Sequence, residues 1–390
     1  MTNSSKLLLC VLLVGVAQAL SAEPWKRHTI DRSSRGADGV RLADINGDGR
    51  LDIVSPWEEG GVVRVYLQPI RAKVKNLWPQ VQVGKVRSPE DALLVDLDGD
   101  GVLDVLSCCE GRSRTIYVHW APKKSQLLDS SKWVTQPIPC TQKKQSWMFA
   151  VNVGRKQPLL VVGSKGKNAA VGLLQPRARR NVSNWTYRKL ISAGWIMSLI
   201  AHDLDNDGDL DVIFSDRKGK RRGVYWLQNK GRGETWKTKL VGGTNLEVMF
   251  LDQADLDGDG RIDILCPTRN RKFVFYRNTG KGWQPNYIAN PYGLRNGKAI
   301  AVGDIDGDGK QDLVHTANTG GNRMHHGVCW LSYRRSPTEK KWQVHTISGR
   351  RGVKFDLVKL LDVDGDGDLD VLTCEERDNL GVFWYENPRK

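Results

Sequence analysis

The sequence predicts an all-β protein: a seven-bladed β-propeller of four-stranded blades, its ring closed by an N-terminal strand that completes the last blade. Three observations predict it. A nine-residue acidic loop recurs six times. A tryptophan opens a short strand-like run seven times, every 47 to 59 residues, a period that suits a four-stranded blade. The two ends of the chain also hold complementary fragments of one repeat.

Composition agrees with a packed, turn-rich chain. Of 390 residues, 39% are hydrophobic and 26% charged, enough to bury a core and too apolar for disorder. Glycine is abundant, at 40, against 15 prolines, so turns outnumber extended proline tracts. The net charge of +15 favours an anionic partner. No apolar run of about 18 residues follows residue 22, so no transmembrane span is expected.

Residues 1–22 read as a signal peptide. Lys6 is the only charge, Leu7 to Val16 form the apolar stretch, and Ala17-Gln18-Ala19 and Ser21-Ala22 offer small-residue cleavage sites. The expected location is secreted, periplasmic or cell-surface. Residues 23–390 then form one domain. Its cysteines are Cys108, Cys109, Cys140, Cys266, Cys329 and Cys374. An exported chain can pair them, but Cys266 and Cys374 end strand-like runs where a small buried thiol fits, so both readings stay open. No zinc-type spacing occurs.

The first strand-like run, Trp25 to Ile30, precedes the first loop. At positions 1, 3, 5 and 9 the six loops carry Asp44, Asn46, Asp48 and Asp52; Asp96, Asp98, Asp100 and Asp104; Asp203, Asp205, Asp207 and Asp211; Asp255, Asp257, Asp259 and Asp263; Asp304, Asp306, Asp308 and Asp312; Asp362, Asp364, Asp366 and Asp370. Position 6 is always Gly, and position 4 is Gly except for Asn206, as left-handed backbone requires. Position 7 varies from Arg50 to Val102 to Asp209, so its side chain is read as unused and only its carbonyl as available. Oxygens at 1, 3, 5, 7 and 9 match the start of an EF-hand loop without the flanking helices. Hard oxygen donors without His or Cys favour Ca²⁺, at up to six sites. Without a cation, three or four carboxylates within nine residues repel one another.

Trp25, Trp78, Trp133, Trp185, Trp236, Trp283 and Trp342 each lie 18 to 21 residues before a loop's first position. Trp133 points to Asn152, where AVNVGRKQPLLVV stands in place of a loop without its acids. The third repeat is therefore degenerate and is expected to bind no metal. The last repeat stops after GVFWYENP without a tryptophan strand, and the first has a surplus one. Joining them closes the ring and leaves no open sheet edge.

The DxDGDGxxD[ILV] repeats resemble FG-GAP/VCBS repeats, as in the integrin α-chain propeller, over about residues 25–387. The resemblance implies calcium hairpins on one rim of the ring. It leaves function open, since related propellers serve in adhesion and also carry polysaccharide lyases and sugar dehydratases.

More than half of the 44 acids fall in the six loops, so the opposite face is expected to be basic. Its turns carry Lys165, Arg217, Lys218, Arg269, Arg271, Arg350 and Lys354 among others, with Trp57, Trp147, Trp195 and Tyr292 as aromatic candidates. Arginine forks suit carboxylate or sulfate, and aromatic faces suit sugar rings. The turn from His315 to Gly327 is longer than its counterparts and holds three histidines. If the protein is an enzyme, His315 is the candidate general base, with Arg269, Arg271 or Arg323 binding a uronate.

No GxSxG, HExxH or P-loop occurs, and the carboxylates are committed to metal. The leading reading is a monomeric binding or adhesion module for an anionic extracellular polysaccharide. The alternatives are a polysaccharide lyase or sugar-modifying enzyme on the basic face, and a protein-adhesion module for a cell-surface or extracellular protein. Nothing beyond charge points to nucleic acid.

Overall fold

Repeats of this length cannot bury their apolar strands singly, and in the computed structural model they do so by stacking around an axis. The structure describes residues 23–177, 179–289, 296–319 and 325–389. The expected signal peptide, Tyr292 and Arg323 lie outside the described residues.

Closing strand β1 is Lys26–Asp31. Blade one holds β2 (Arg41–Ala43), β3 (Asp52–Trp57), β4 (Val62–Tyr66) and β5 (Gln80–Lys85). Blade two holds β6 (Pro89–Val95), β7 (Asp104–Cys109), β8 (Ile116–Trp120) and β9 (Val134–Pro137). Blade three holds β10 (Ser146–Asn152), β11 (Leu160–Lys165), β12 (Ala170–Gln175) and β13 (Thr186–Ser192). Blade four holds β14 (Ile196–His202), β15 (Asp211–Asp216), β16 (Gly223–Lys230) and β17 (Thr235–Gly242). Blade five holds β18 (Asp252–Ala254), β19 (Asp263–Pro267), β20 (Lys272–Asn278) and β21 (Trp283–Ala289). Blade six holds β22 (Gly297–Gly303), β23 (Asp312–Ala317), β24 (Val328–Ser332) and β25 (Gln343–Thr346). Blade seven holds β26 (Phe355–Leu361), β27 (Asp370–Glu375) and β28 (Gly381–Glu386). Each of these seven antiparallel sheets has four strands, β1 being the fourth of blade seven.

Ring closure is as expected. β1 pairs with β28 from Lys26↔Glu386 to Asp31↔Val382. His28 stacks on Trp384 and meets Glu386 at 2.6 Å. Asp31 then ties the closing strand to blade one, accepting from the Tyr66 hydroxyl at 2.9 Å, while the Trp57 indole donates to the same hydroxyl.

Four of the repeat tryptophans act at the bend that leads into the fourth strand. Trp78, Trp133, Trp236 and Trp342 donate their indole N–H to the carbonyls of Val74, Leu127, Gly233 and Glu339. Each spends its one polar atom on the bend while the ring packs against the blade.

First strands adjoin around the axis, β6 on β10, β10 on β14, β18 on β22 and β22 on β26. Second strands are buried on both faces, every residue of β3, β7, β15, β19, β23 and β27 being buried. That explains their continuous apolar runs. Blades approach closely where the fourth strand offers glycine: a Cβ on Gly84 would stand 2.1 Å from the His119 ring of the next blade. The six described cysteines are free thiols, five of them buried.

Candidate functional site

The six acidic loops join first to second strands on one rim. In all six, the position-6 glycine N–H donates to Oδ2 of the position-1 Asp, as Gly49 does to Asp44 at 2.9 Å and Gly260 to Asp255 at 2.7 Å. The glycine adopts φ of +85° and +81° in those two loops, a conformation that favours Gly. The ninth Asp plays a different part. It is buried, and in five loops it bridges the loop to the end of the third strand. Asp52 accepts from Ile45 N at 3.0 Å and Gln68 N at 2.9 Å, and Asp104, Asp211, Asp263 and Asp370 repeat the pattern. Burial pushes Asp52, Asp211 and Asp263 up to about 6 and Asp104, Asp312 and Asp370 up to about 7, against the pull of those N–H groups.

These loops suit a hard cation. Asp96, Asp98 and Asp104 bring oxygens within 4.8 Å of one another, as do Asp203, Asp205 and Asp207, and Asp255, Asp257 and Asp259. At position 3, Oδ1 of Asp205, Asp257 and Asp364 is buried with no hydrogen-bond donor, which a cation would supply. One detail of the sequence reading is corrected: the position-7 side chain is used. Arg50, Arg261 and Lys310 fold back onto Asp48, Asp259 and Asp308. Alternating bulk hides this, because only long basic side chains can reach. In blade three, Asn152 Oδ1 accepts from Gly154 N and Leu159 N, both at 3.1 Å, so an amide closes the loop that lacks its acids.

On the opposite face a cavity of about 280 Å³ opens at the axis, and every blade contributes to its wall. One side is basic and aromatic. The Trp195 ring is flanked by three cations, Arg217 at 4.6 Å, Lys165 at 4.7 Å and Lys218 at 4.9 Å from its centroid. Asp216 holds this turn, accepting from the N–H groups of Gly194 and Trp195 at 2.8 Å each. Arg217 Nε donates to Glu247 at 2.6 Å, and Arg269 approaches the same carboxylate at 4.0 Å.

The other side is acidic, with Asp38, Glu58, Glu90 and Glu110. Here the expectation of a uniformly basic face is corrected. Asp38 and Glu90 stand six residues before a loop's first Asp, where Met249 and Lys298 stand in other blades, and Glu58 and Glu110 stand six residues after the ninth, where Arg217 and Arg269 stand, so the positions repeat but the charge does not. Lys165 pairs with Glu110 and stands 3.8 Å from Glu90. Burial, reinforced by Glu110 and Glu58, raises the Glu90 carboxyl to about 8 despite Lys165. Burial and the neighbouring Asp356 hold Asp38 well above the usual carboxylate range.

The expected catalytic group does not assemble at this cavity. His315 lies within β23 and is fully buried. Its Nδ1 meets Ala299 O at 3.1 Å, and its ring packs edge-on to Phe273 at 4.7 Å. Burial lowers it to about 4, leaving it neutral near pH 7. A second strand covered on both faces has no side chain free for solvent. Arg269 does line the cavity, whereas Arg271 sits outside its wall at a turn with φ +56°. Trp57 and Trp147 are fully buried between blades, and Trp195 alone of the described aromatic candidates reaches the cavity.

Residues 203–266 and 255–315 match the family model described as an FG-GAP-like repeat. No curated protein matches the sequence. Among solved structures, BBS1N crystallised in complex with ARL6DN and soaked with mercury has a TM-score of 0.56 at 12% identity, covering 94% of this chain and 98% of that one. The lead-soaked crystal of the same complex gives 0.56 and 12%, covering 94% and 99%. A looser likeness, from which nothing is drawn, is to an Agrocybe aegerita lectin specific for non-reducing terminal N-acetylglucosamine (TM-score 0.49, 17% identity, 81% of each chain). At these identities the BBS1N likeness is one of fold. No helix among the described residues is long and apolar enough to cross a membrane. Residues 203–315 thus carry FG-GAP-like repeats, and the chain folds as a seven-bladed β-propeller, an architecture that suggests a binding or adhesion module.

Proposed function

We propose that this propeller is an exported binding module for an acidic polysaccharide, which it takes at the axial cavity opposite the acidic loops. The observation that carries this reading is Trp195 ringed by Lys165, Arg217 and Lys218 at the cavity wall. An indole face stacks on a sugar ring, and Lys218, with no ion pair among the described residues, pairs with its carboxylate or sulfate, while Lys165 and Arg217, held by Glu110 and Glu247, frame the ring. Arg269 extends the basic wall by one blade. The six loops hold Ca²⁺ on the far rim, where it neutralises Asp203, Asp255 and their counterparts and fixes each first hairpin.

Two measurements test this. Calcium-loaded protein is co-sedimented with uronic-acid and sulfated polysaccharides, beside Trp195→Ala and Lys218→Ala. The expected result is retention that weakens at least tenfold in Trp195→Ala; equal retention of both variants and the parent refutes the site. No retention on any polymer moves the assignment to a protein partner. Ultraviolet absorbance growing with time would instead mark a lyase. For the loops, a chelator should lower the melting temperature, and an unchanged melting temperature refutes calcium there.

A further inference from the structure

The wall of the axial cavity carries six basic side chains and four acidic ones, and the acids are gathered on one side. Asp356 is paired with Lys298, Glu376 with Lys354, and Glu110 with Lys165. That accounts for the three lysines. Glu90 shares Lys165 only at 3.8 Å, and no ion pair reaches Asp38 or Glu58 from the described residues. Asp38 is 7% exposed; no hydrogen bond or ion pair of the described residues ends on its carboxylate, although Lys354 and Lys298 both attract it from further off. Yet oxygens of Asp38, Glu58 and Glu90 lie within 4.8 Å of one another, as do those of Asp38, Asp356 and Glu376. A buried carboxylate beside two others is costly unless it takes up a proton or a cation joins them, and a cation that displaces the proton satisfies all three at once.

We propose that Asp38, Glu58 and Glu90 hold a divalent cation at the wall of the axial cavity, a site separate from the six loops. Three carboxylates and no nitrogen or sulfur donor select a hard ion. Carboxylate oxygens completed by water are the ligands Ca²⁺ takes, at about 2.3–2.6 Å. The three ligands come from blades one and two and occupy one side of the ion. Its remaining positions face the cavity and take water. Asp38 enters from the turn before β2, Glu58 from the turn after β3, and Glu90 from β6, so the ion also joins two blades at the axis.

The test counts ions. Parent, Asp38→Asn and Glu58→Gln proteins are equilibrated with Ca²⁺ alone, and bound calcium is measured by equilibrium dialysis with elemental analysis. Each substitution should bind one ion fewer than the parent, with circular dichroism unchanged. The difference between proteins is the readout, so the result stands whether or not the loops are filled and whether or not a polysaccharide binds. Glu58 lies at the half-buried rim of the cavity, so Glu58→Gln serves if Asp38→Asn fails to fold. A folded Glu58→Gln protein that binds as many ions as the parent overturns the site.

Discussion

The clamp between Arg41 and Asp91 joins three blades at the axis, and breaking it gives the sharpest test of how the ring is held. Arg41, on β2, donates from Nε and Nη2 to the two oxygens of Asp91 on β6, at 2.7 and 2.9 Å. Asp91 also accepts from Ala150 N of β10 at 3.2 Å. Asp91 is 2% exposed and Arg41 21%. Replacing Arg41 by Met keeps the bulk of the stem but strands a buried carboxylate with one long backbone bond. Removing one partner of a buried pair costs about 3–5 kcal/mol. Asp91→Asn is milder, because Arg41 can turn toward solvent, and should cost about 1–3 kcal/mol. The double variant should lose less than the sum of the two, by a coupling of about 0.5–3 kcal/mol. Guanidinium titrations at pH 7 in saturating calcium, followed by circular dichroism and compared at equal slope, measure all four proteins. An Arg41→Met loss under about 1 kcal/mol, or strict additivity, refutes the clamp.

Other consequences concern acid, crowding and closure. Burial lowers His119 to about 3 and His315 to about 4, while the unfolded chain protonates histidine near about 6.5. Between those limits the unfolded state binds the extra proton, so stability falls as pH falls, by about 1.4 kcal/mol per pH unit for each histidine. His119→Gln should remove one proton from the slope of stability against pH between about 6.5 and 4.5; an unchanged slope refutes the assignment. Gly84→Ala drives a methyl into the His119 ring and should cost at least about 1–3 kcal/mol in thermal or chemical melts, whereas a neutral substitution would mean that the blades are loosely packed there. Deleting residues 23–31 leaves β28 as an unpaired edge and should cost more than about 5 kcal/mol, beyond an ordinary core substitution, with partial recovery on adding the peptide. A truncated protein that melts with the parent refutes ring closure by β1.

Much of the molecule is legible in the chain because it is repeated. Six loops with Asp at positions 1, 5 and 9, and seven tryptophans in step with them, state the number of blades, the degenerate third repeat and the strand exchange between the two ends. Each copy solves the same local problem, a tight left-handed turn and a pinned fourth strand, so comparing copies separates needed residues from tolerated ones. The local hydrogen bonds of Asp44 and the bend held by Trp78 depend only on neighbours in sequence. Tertiary structure decided the rest. Asp38, Glu58, Glu90 and Glu110 occupy two positions of the repeat whose side chains differ from blade to blade, and they meet because the ring converges on its axis. His315 reads as a polar residue near the channel, but the second strand of a blade is covered by neighbours on both faces, and burial leaves it neutral and enclosed. The use of Arg50 and Arg261 as partners for loop acids depends on reach, which differs between copies and leaves no periodic trace. Repetition encodes the scaffold and the positions that face the axis, whereas the side chains at those positions change from blade to blade, and only closure of the ring brings them together into one cavity.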